Sequence, residues 1–190
     1  MTTETILSIA IGLGLAASCG FRIFVPLLVM NLGAMAGQLT LIPPFEWVGE
    51  PYALLAFGAA TVLEIVAYYV PWFDNLLDAI ATPVAAIAGI MVTASVIGEM
   101  SPFLRWTLAV IAGGGIAAAV QGGTVLLRAT SSMTTAGSGN ALLSTGELFG
   151  SLLTSILAIT APIICLFIVL MTLGLILRYY AFAPVRQPPE

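Results

Sequence analysis

The sequence predicts an all-α fold, a polytopic transmembrane helical bundle, and three observations carry that prediction. Hydrophobic residues make up 60% of the 190 and charged residues 7%, with a mean hydropathy of +1.11. An ordinary soluble domain is roughly 45–50% apolar and about 25% charged. A water-facing surface cannot be assembled from such a chain, so the bilayer must be its solvent. Finally, the apolar residues fall in long runs and not in the alternation of a membrane barrel, so lipid-facing backbone is satisfied inside helices.

Five apolar segments stand out, at 5–36, 52–70, 73–98, 103–128 and 147–180, against the roughly 20 residues that cross about 30 Å of hydrocarbon. Together they predict one transmembrane domain over 1–182, followed by a disordered, proline-rich tail at 183–190. The first and last segments each exceed ~45 Å if straight, so they tilt, protrude or break. Gly20 or Pro26 is the expected interruption in the first, and Pro162 in the last. In the third, Pro71 and Thr82-Pro83 each supply the fixed φ of a first helical turn. Two helices, Pro71–Ala81 and Pro83 to about Gly98, are therefore expected there.

Between the segments, Gly37–Pro51 carries Trp47 and reads as an interfacial loop. Ala129–Asn140 is polar but uncharged, which suits a flexible connection or a re-entrant lining of a wet cavity. Small residues four apart, at Gly33/Gly37, Gly115/Ala119/Gly123 and Gly146/Gly150, let helix backbones approach. The spacing favours packing within one protomer and leaves a homo-oligomer open.

The opening run Ala16-Ala17-Ser18-Cys19 loosely resembles a lipoprotein cleavage box, but no positive region precedes it and the chain stays apolar beyond it. Sidedness rests on five arginines. Arg105 and Arg178, with two crossings between them, share a side with Arg186, which the positive-inside rule makes cytoplasmic, leaving Arg128 outside. The N-terminus then lies outside if all five segments cross once, or inside if the first is a hairpin folded near Gly20.

Charge excludes several functions. Five basic residues, none of them lysine, against nine acids offer no nucleic-acid surface. Without histidine, and with Cys19 and Cys165 far apart, there is no zinc cluster and no imidazole base. No cofactor is implied, and a metal would need oxygen ligands. The implied partners are the lipid bilayer and a small solute or ion.

Arg22 is the sharpest anomaly, lying near the middle of an apolar run. A guanidinium at helix centre costs at least ~2.5–3.5 kcal/mol, so it requires a carboxylate, helix carbonyls or water. Glu64, about 9 Å inside the end of the second segment by helical rise, is the expected partner. Asp74 and Asp78, spaced i, i+4, put two carboxylates on one helix face. They suit either a hard cation or an ordinary helix start at the membrane surface. Ser144-x-x-Glu147 before an apolar run fits a capping box at the start of the last helix. Glu99 with Ser101-Pro102 reads as a surface loop.

Three stretches carry a family resemblance. The first is Gly14-Leu15-Ala16-Ala17-Ser18-Cys19-Gly20-Phe21-Arg22-Ile23-Phe24-Val25-Pro26-Leu27; the second is Glu64 followed by Val70-Pro71, Asp74, Asp78 and Pro83; the third is Gly137-Ser138-Gly139-Asn140 leading to Ser144 and Glu147. Together they resemble the bacterial family of small membrane proteins catalogued as domain of unknown function 4126. Two places depart from its pattern: Tyr68-Tyr69 stand where charge is expected, and Ala141 where a proline is. The resemblance implies a bacterial inner-membrane protein and no particular activity. It marks Arg22, Glu64, Asp74 and Asp78 as the site residues, with Asn140 and Glu147 behind them.

The leading expectation for function is a small transporter or channel whose polar pathway is lined by Arg22, Glu64, Asp74 and Asp78. The alternatives are a membrane-embedded enzyme acting on a lipid and a structural or assembly subunit. No catalytic residue is identified.

Overall fold

The structure, a computed structural model, describes residues 2–69, 71–135 and 138–182. The side chains of 71–79, 177 and 179–182 lie outside the described residues, and so does the 183–190 tail expected to be disordered. Among the described residues all regular structure is helical. The helices are α1 (Thr3–Cys19), α2 (Phe24–Met35), α3 (Pro51–Tyr68), α4 (Pro71–Val96), α5 (Pro102–Leu108), α6 (Gly115–Thr135), α7 (Asn140–Thr160) and α8 (Pro162–Phe182). A 3-10 helix, Pro43–Gly49, joins α2 to α3, and a π-helical turn, Ala109–Gly114, fuses α5 to α6. Among the described residues three helical stretches, Pro51–Tyr68, Pro102–Thr135 and Asn140–Thr160, are long and apolar enough to cross a membrane, and shorter apolar helices accompany them.

Local chemistry sets most helix starts. Thr2 caps α1 by accepting from the Thr5 amide, and Ser101 caps α5 by accepting from that of Leu104. Prolines open α3, α4, α5 and α8, where a missing N–H costs nothing. Pro83, expected to begin a second helix, instead lies inside a continuous α4. Proline is tolerated within membrane helices because neighbouring helices re-satisfy the freed backbone. The polar stretch 129–140 is also mostly helical. Here α6 runs on to Thr135, and Thr130, Thr134 and Thr135 turn their hydroxyls back onto carbonyls four residues earlier.

The long first segment breaks where expected, between Cys19 and Phe24. Its two pieces form a hairpin, as their contacts with α7 show. A Cβ added at Gly14 would meet Ala158, Arg22 reaches Ser144, and Gly33 faces Ile159. α1 therefore descends α7 from end to start, and α2 climbs back. The last segment breaks at Ala161, and Cys165 Sγ sits 3.6 Å from Thr154 O, so the first turn of α8 lies back against α7. This change of direction removes the premise on which Arg105 and Arg178 were placed on one side.

The tightest packing joins α1, α4 and the π-helical turn. A Cβ on Gly89 would lie 2.6 Å from Ala117 Cβ and 2.8 Å from Gly113 O, and Thr93 Oγ1 donates to Gly12 O at 3.1 Å. Small residues are required there by backbone approach. The glycines picked out by spacing are used differently. Gly115, Gly123 and Gly146 have open space around them, whereas Gly33 and Gly150 touch Ile159 and Phe21. Gly37 has φ +70°, so it ends α2 in the left-handed region.

Candidate functional site

Every buried charge among the described residues gathers at the tip of the α1–α2 hairpin. Where a helix breaks, the next one starts with amides that have no partner. At this break the orphans belong to Ile23 and Phe24. Glu64, from the last turn and a half of α3, accepts from both, with Oε1 2.8 Å from Ile23 N and Oε2 3.1 Å from Phe24 N. Its carboxylate thus occupies the positive end of α2, a ready-made anion position.

Arg22 immediately precedes those amides and is 1% exposed. Its Nη2 donates to Ser144 O at 2.8 Å and lies 3.7 Å from Glu147 Oε2. Arg128, on α6 and also buried, grips the same Glu147 with two bonds, Nε to Oε1 at 2.9 Å and Nη2 to Oε2. Tyr68 contacts both arginines, its ring centroid 3.9 Å from the Arg22 guanidinium carbon and 4.2 Å from that of Arg128. A ring face attracts a cation by ~0.5–2 kcal/mol, more when water is excluded. One glutamate and one aromatic ring therefore hold two guanidiniums side by side.

The cluster lies within the bundle and not at its surface. Glu147 is seven residues past the start of α7, and Arg128 seven before the end of α6. Each is therefore about 10 Å of helical rise from a helix end. The satisfaction is incomplete: Arg22 Nε and Nη1 are buried without an acceptor, and Ser144 Oγ without a partner. A buried donor left unmade costs ~1–3 kcal/mol, more for a charged group.

Several expectations are corrected here. Arg22 and Glu64 come together at the hairpin tip but do not form a direct ion pair, since the exposed α2 amides hold the Glu64 carboxylate and Glu147 takes the guanidinium. Ser144 and Glu147 do not cap α7, because α7 already begins at Asn140 and both lie in its second turn. Arg128, expected at a segment end, is buried within α6, which continues seven residues past it. Asp74 and Asp78 lie on the opening turns of α4, with side chains outside the described residues. Among the described residues no three His, Cys, Asp or Glu side chains gather as a metal site would require.

Sequence reasoning missed Arg128 and Tyr68. A signal existed for the tyrosine: Glu64 and Tyr68 are spaced i, i+4, so one face of α3 delivers both. Beside them opens a cavity of about 450 Å³ between α3, α4 and the start of α2.

The family described as "Domain of unknown function (DUF4126)" matches over residues 9–181. No curated protein and no solved structure matches. The chain belongs to the DUF4126 family of membrane proteins.

Proposed function

We propose that this member of the DUF4126 family is a small transport protein of the inner membrane, a carrier or channel for a small solute or ion that accepts hydrogen bonds. Arg22 at the hairpin tip would be its binding group. The observation that carries the reading is the state of Arg22, which is buried, pinned through Nη2, and left with Nε and Nη1 unpaired. A charged group at membrane depth with open donors is a natural seat for an anion or a polar solute. The broken first helix adds support, because discontinuous helices whose N-termini face anions are a recurring way to build solute sites in transporters. Glu64 belongs to the pathway as the carboxylate that fills the α2 amides. Asp74 and Asp78 are assigned to it as the acids that open α4 directly after α3.

The test is flux into proteoliposomes of radiolabelled acetate and chloride, with and without a pH gradient. Influx above that of protein-free liposomes is expected. Arg22→Gln should slow it about tenfold, the factor given by ~1.4 kcal/mol of lost binding. Equal flux with and without protein, for both ions and both gradients, would sink the reading.

A further inference from the structure

We infer that the arginine site belongs to the cytoplasmic end of the bundle, and that a solute enters it from the cytoplasm, past the hydroxyl-bearing end of α6 and start of α7. The entry route rests on the transport reading, whereas the orientation of the bundle does not. Bonds between elements sort the helix ends into two groups. Thr2 and Thr5, at the start of α1, donate to Glu99, which follows the end of α4. Ile42 N, beyond the end of α2, donates to Ser95 O at 2.9 Å, and Asn31 of α2 donates to Val48 O and Glu50 O just before α3. Trp106 of α5 lies against Phe45, with ring centroids 6.5 Å apart. One end therefore gathers the starts of α1, α3 and α5 and the ends of α2 and α4. The site marks the opposite end, since Tyr68 closes α3, Arg22 precedes α2, and Arg128 binds Glu147 across the end of α6 and the early turns of α7.

The arginines are divided unequally between these ends. Arg105, next to Trp106, is at the first, in the company of Glu4, Glu46, Glu50 and Glu99, all exposed. Arg22 and Arg128 are at the second. Arg178 joins them: Cys165 comes back to the level of Thr154, so α8 leaves Ala161 in the direction of the site and carries Arg178, exposed, near its far end. Among the described residues three arginines of four thus share the second end. Basic residues concentrate on the cytoplasmic side, and acids carry little weight in that bias. The start of α1 is then outside and the end of α8 inside, with the α1–α2 hairpin dipping in from outside. Toward the outside the site is closed by backbone approach. A Cβ on Gly14 would fall 2.7 Å from Ala158 Cβ, Gly12 O takes the Thr93 hydroxyl at 3.1 Å, and Gly89 lies against Gly113 and Ala117. Such contacts leave no room for a solute. Toward the cytoplasm the neighbours are hydrophilic. Ser132, one turn past Arg128, accepts from Asn140 Nδ2 at 3.0 Å, and the Tyr69 hydroxyl meets that of Thr145 at 2.8 Å.

The experiment is labelling by membrane-impermeant thiol reagents, in spheroplasts of a bacterial expression host and in inside-out vesicles from the same cells. The wild type, whose Cys19 and Cys165 are buried, sets the background. Gln38→Cys, exposed at the first end, should take a maleimide in spheroplasts alone, and Ser138→Cys, exposed between α6 and α7, in inside-out vesicles alone. Any other pattern at these two positions would overturn the orientation. Arg22→Cys, which leaves Glu147 bonded to Arg128, should react with a small anionic methanethiosulfonate in the vesicles and not in spheroplasts. Reaction in spheroplasts, or in neither preparation, would overturn the entry route. Labelling as expected without acetate or chloride flux sinks the transport reading alone; flux with the labelling pattern reversed sinks this inference alone.

Discussion

The chain breaks its long apolar segments in two places, and the two breaks are closed by different means. At Ala161 the repair is local. Ala161 N donates to Leu157 O, Pro162 has no amide to satisfy, and Cys165 N donates to Ala161 O. No charge is needed. At Gly20–Ile23 local bonds run only as far as Arg22, whose amide donates to Ser18 O. The next two amides are met by Glu64, some forty residues away, and the Arg22 side chain by Ser144 and Glu147, more than a hundred residues on. Among the described residues the break at proline draws in no charged side chain from another helix. One closed by glycine and a charged residue recruits side chains from three other helices, and that recruitment builds a polar site.

The largest effect should come from the anion that the two arginines share. Glu147→Leu leaves two buried guanidiniums facing each other, and losing one partner of a buried pair costs about 3–5 kcal/mol. Loss of most monodisperse protein in detergent is expected, with partial recovery in Arg128→Leu/Glu147→Leu. A Glu147→Leu protein as thermostable as wild type would mean the charged break is not held by charge. Smaller is Glu64→Ala, which strands two amides at roughly 1–3 kcal/mol each. Hydrogen exchange at Ile23 and Phe24 should rise selectively, and unchanged protection there would show that some other group caps α2. Smallest is Pro162→Ala, because proline at a first helical position replaces an amide that has no helical partner. Its melting temperature should stay within a few degrees of wild type, matching less than about 1 kcal/mol. A large loss would erase the distinction between the two breaks.

Gly20 shows how far a sequence reading reaches. A run longer than the bilayer, with glycine and then arginine near its middle, announces a break, and the chain does turn there. The reason Gly20 is glycine lies elsewhere, since a Cβ would fall 2.5 Å from Val120 Cβ and 2.7 Å from Ala117 O. Ser144 and Glu147 show the limit. Their spacing is that of a capping box, but the helix starts four residues before Ser144, and Glu147 answers to Arg128 and Arg22. Nothing local distinguishes the two uses of one glutamate.

By itself the sequence determined the solvent, the helical class, the need for a break near Gly20, and the fact that Arg22 must be satisfied by something polar. These follow from composition, periodicity and the cost of charge in hydrocarbon, which are properties of a residue and its neighbours in the chain. Only the tertiary structure decided that the first segment folds into a hairpin, that Glu64 serves amides and not a guanidinium, and that Tyr68 and Arg128 complete the cluster. Those outcomes depend on which groups from α3, α6 and α7 arrive first within reach of the same few unpaired donors. That competition is settled by helix packing, which small residues such as Gly14, Gly20 and Gly89 permit at short range.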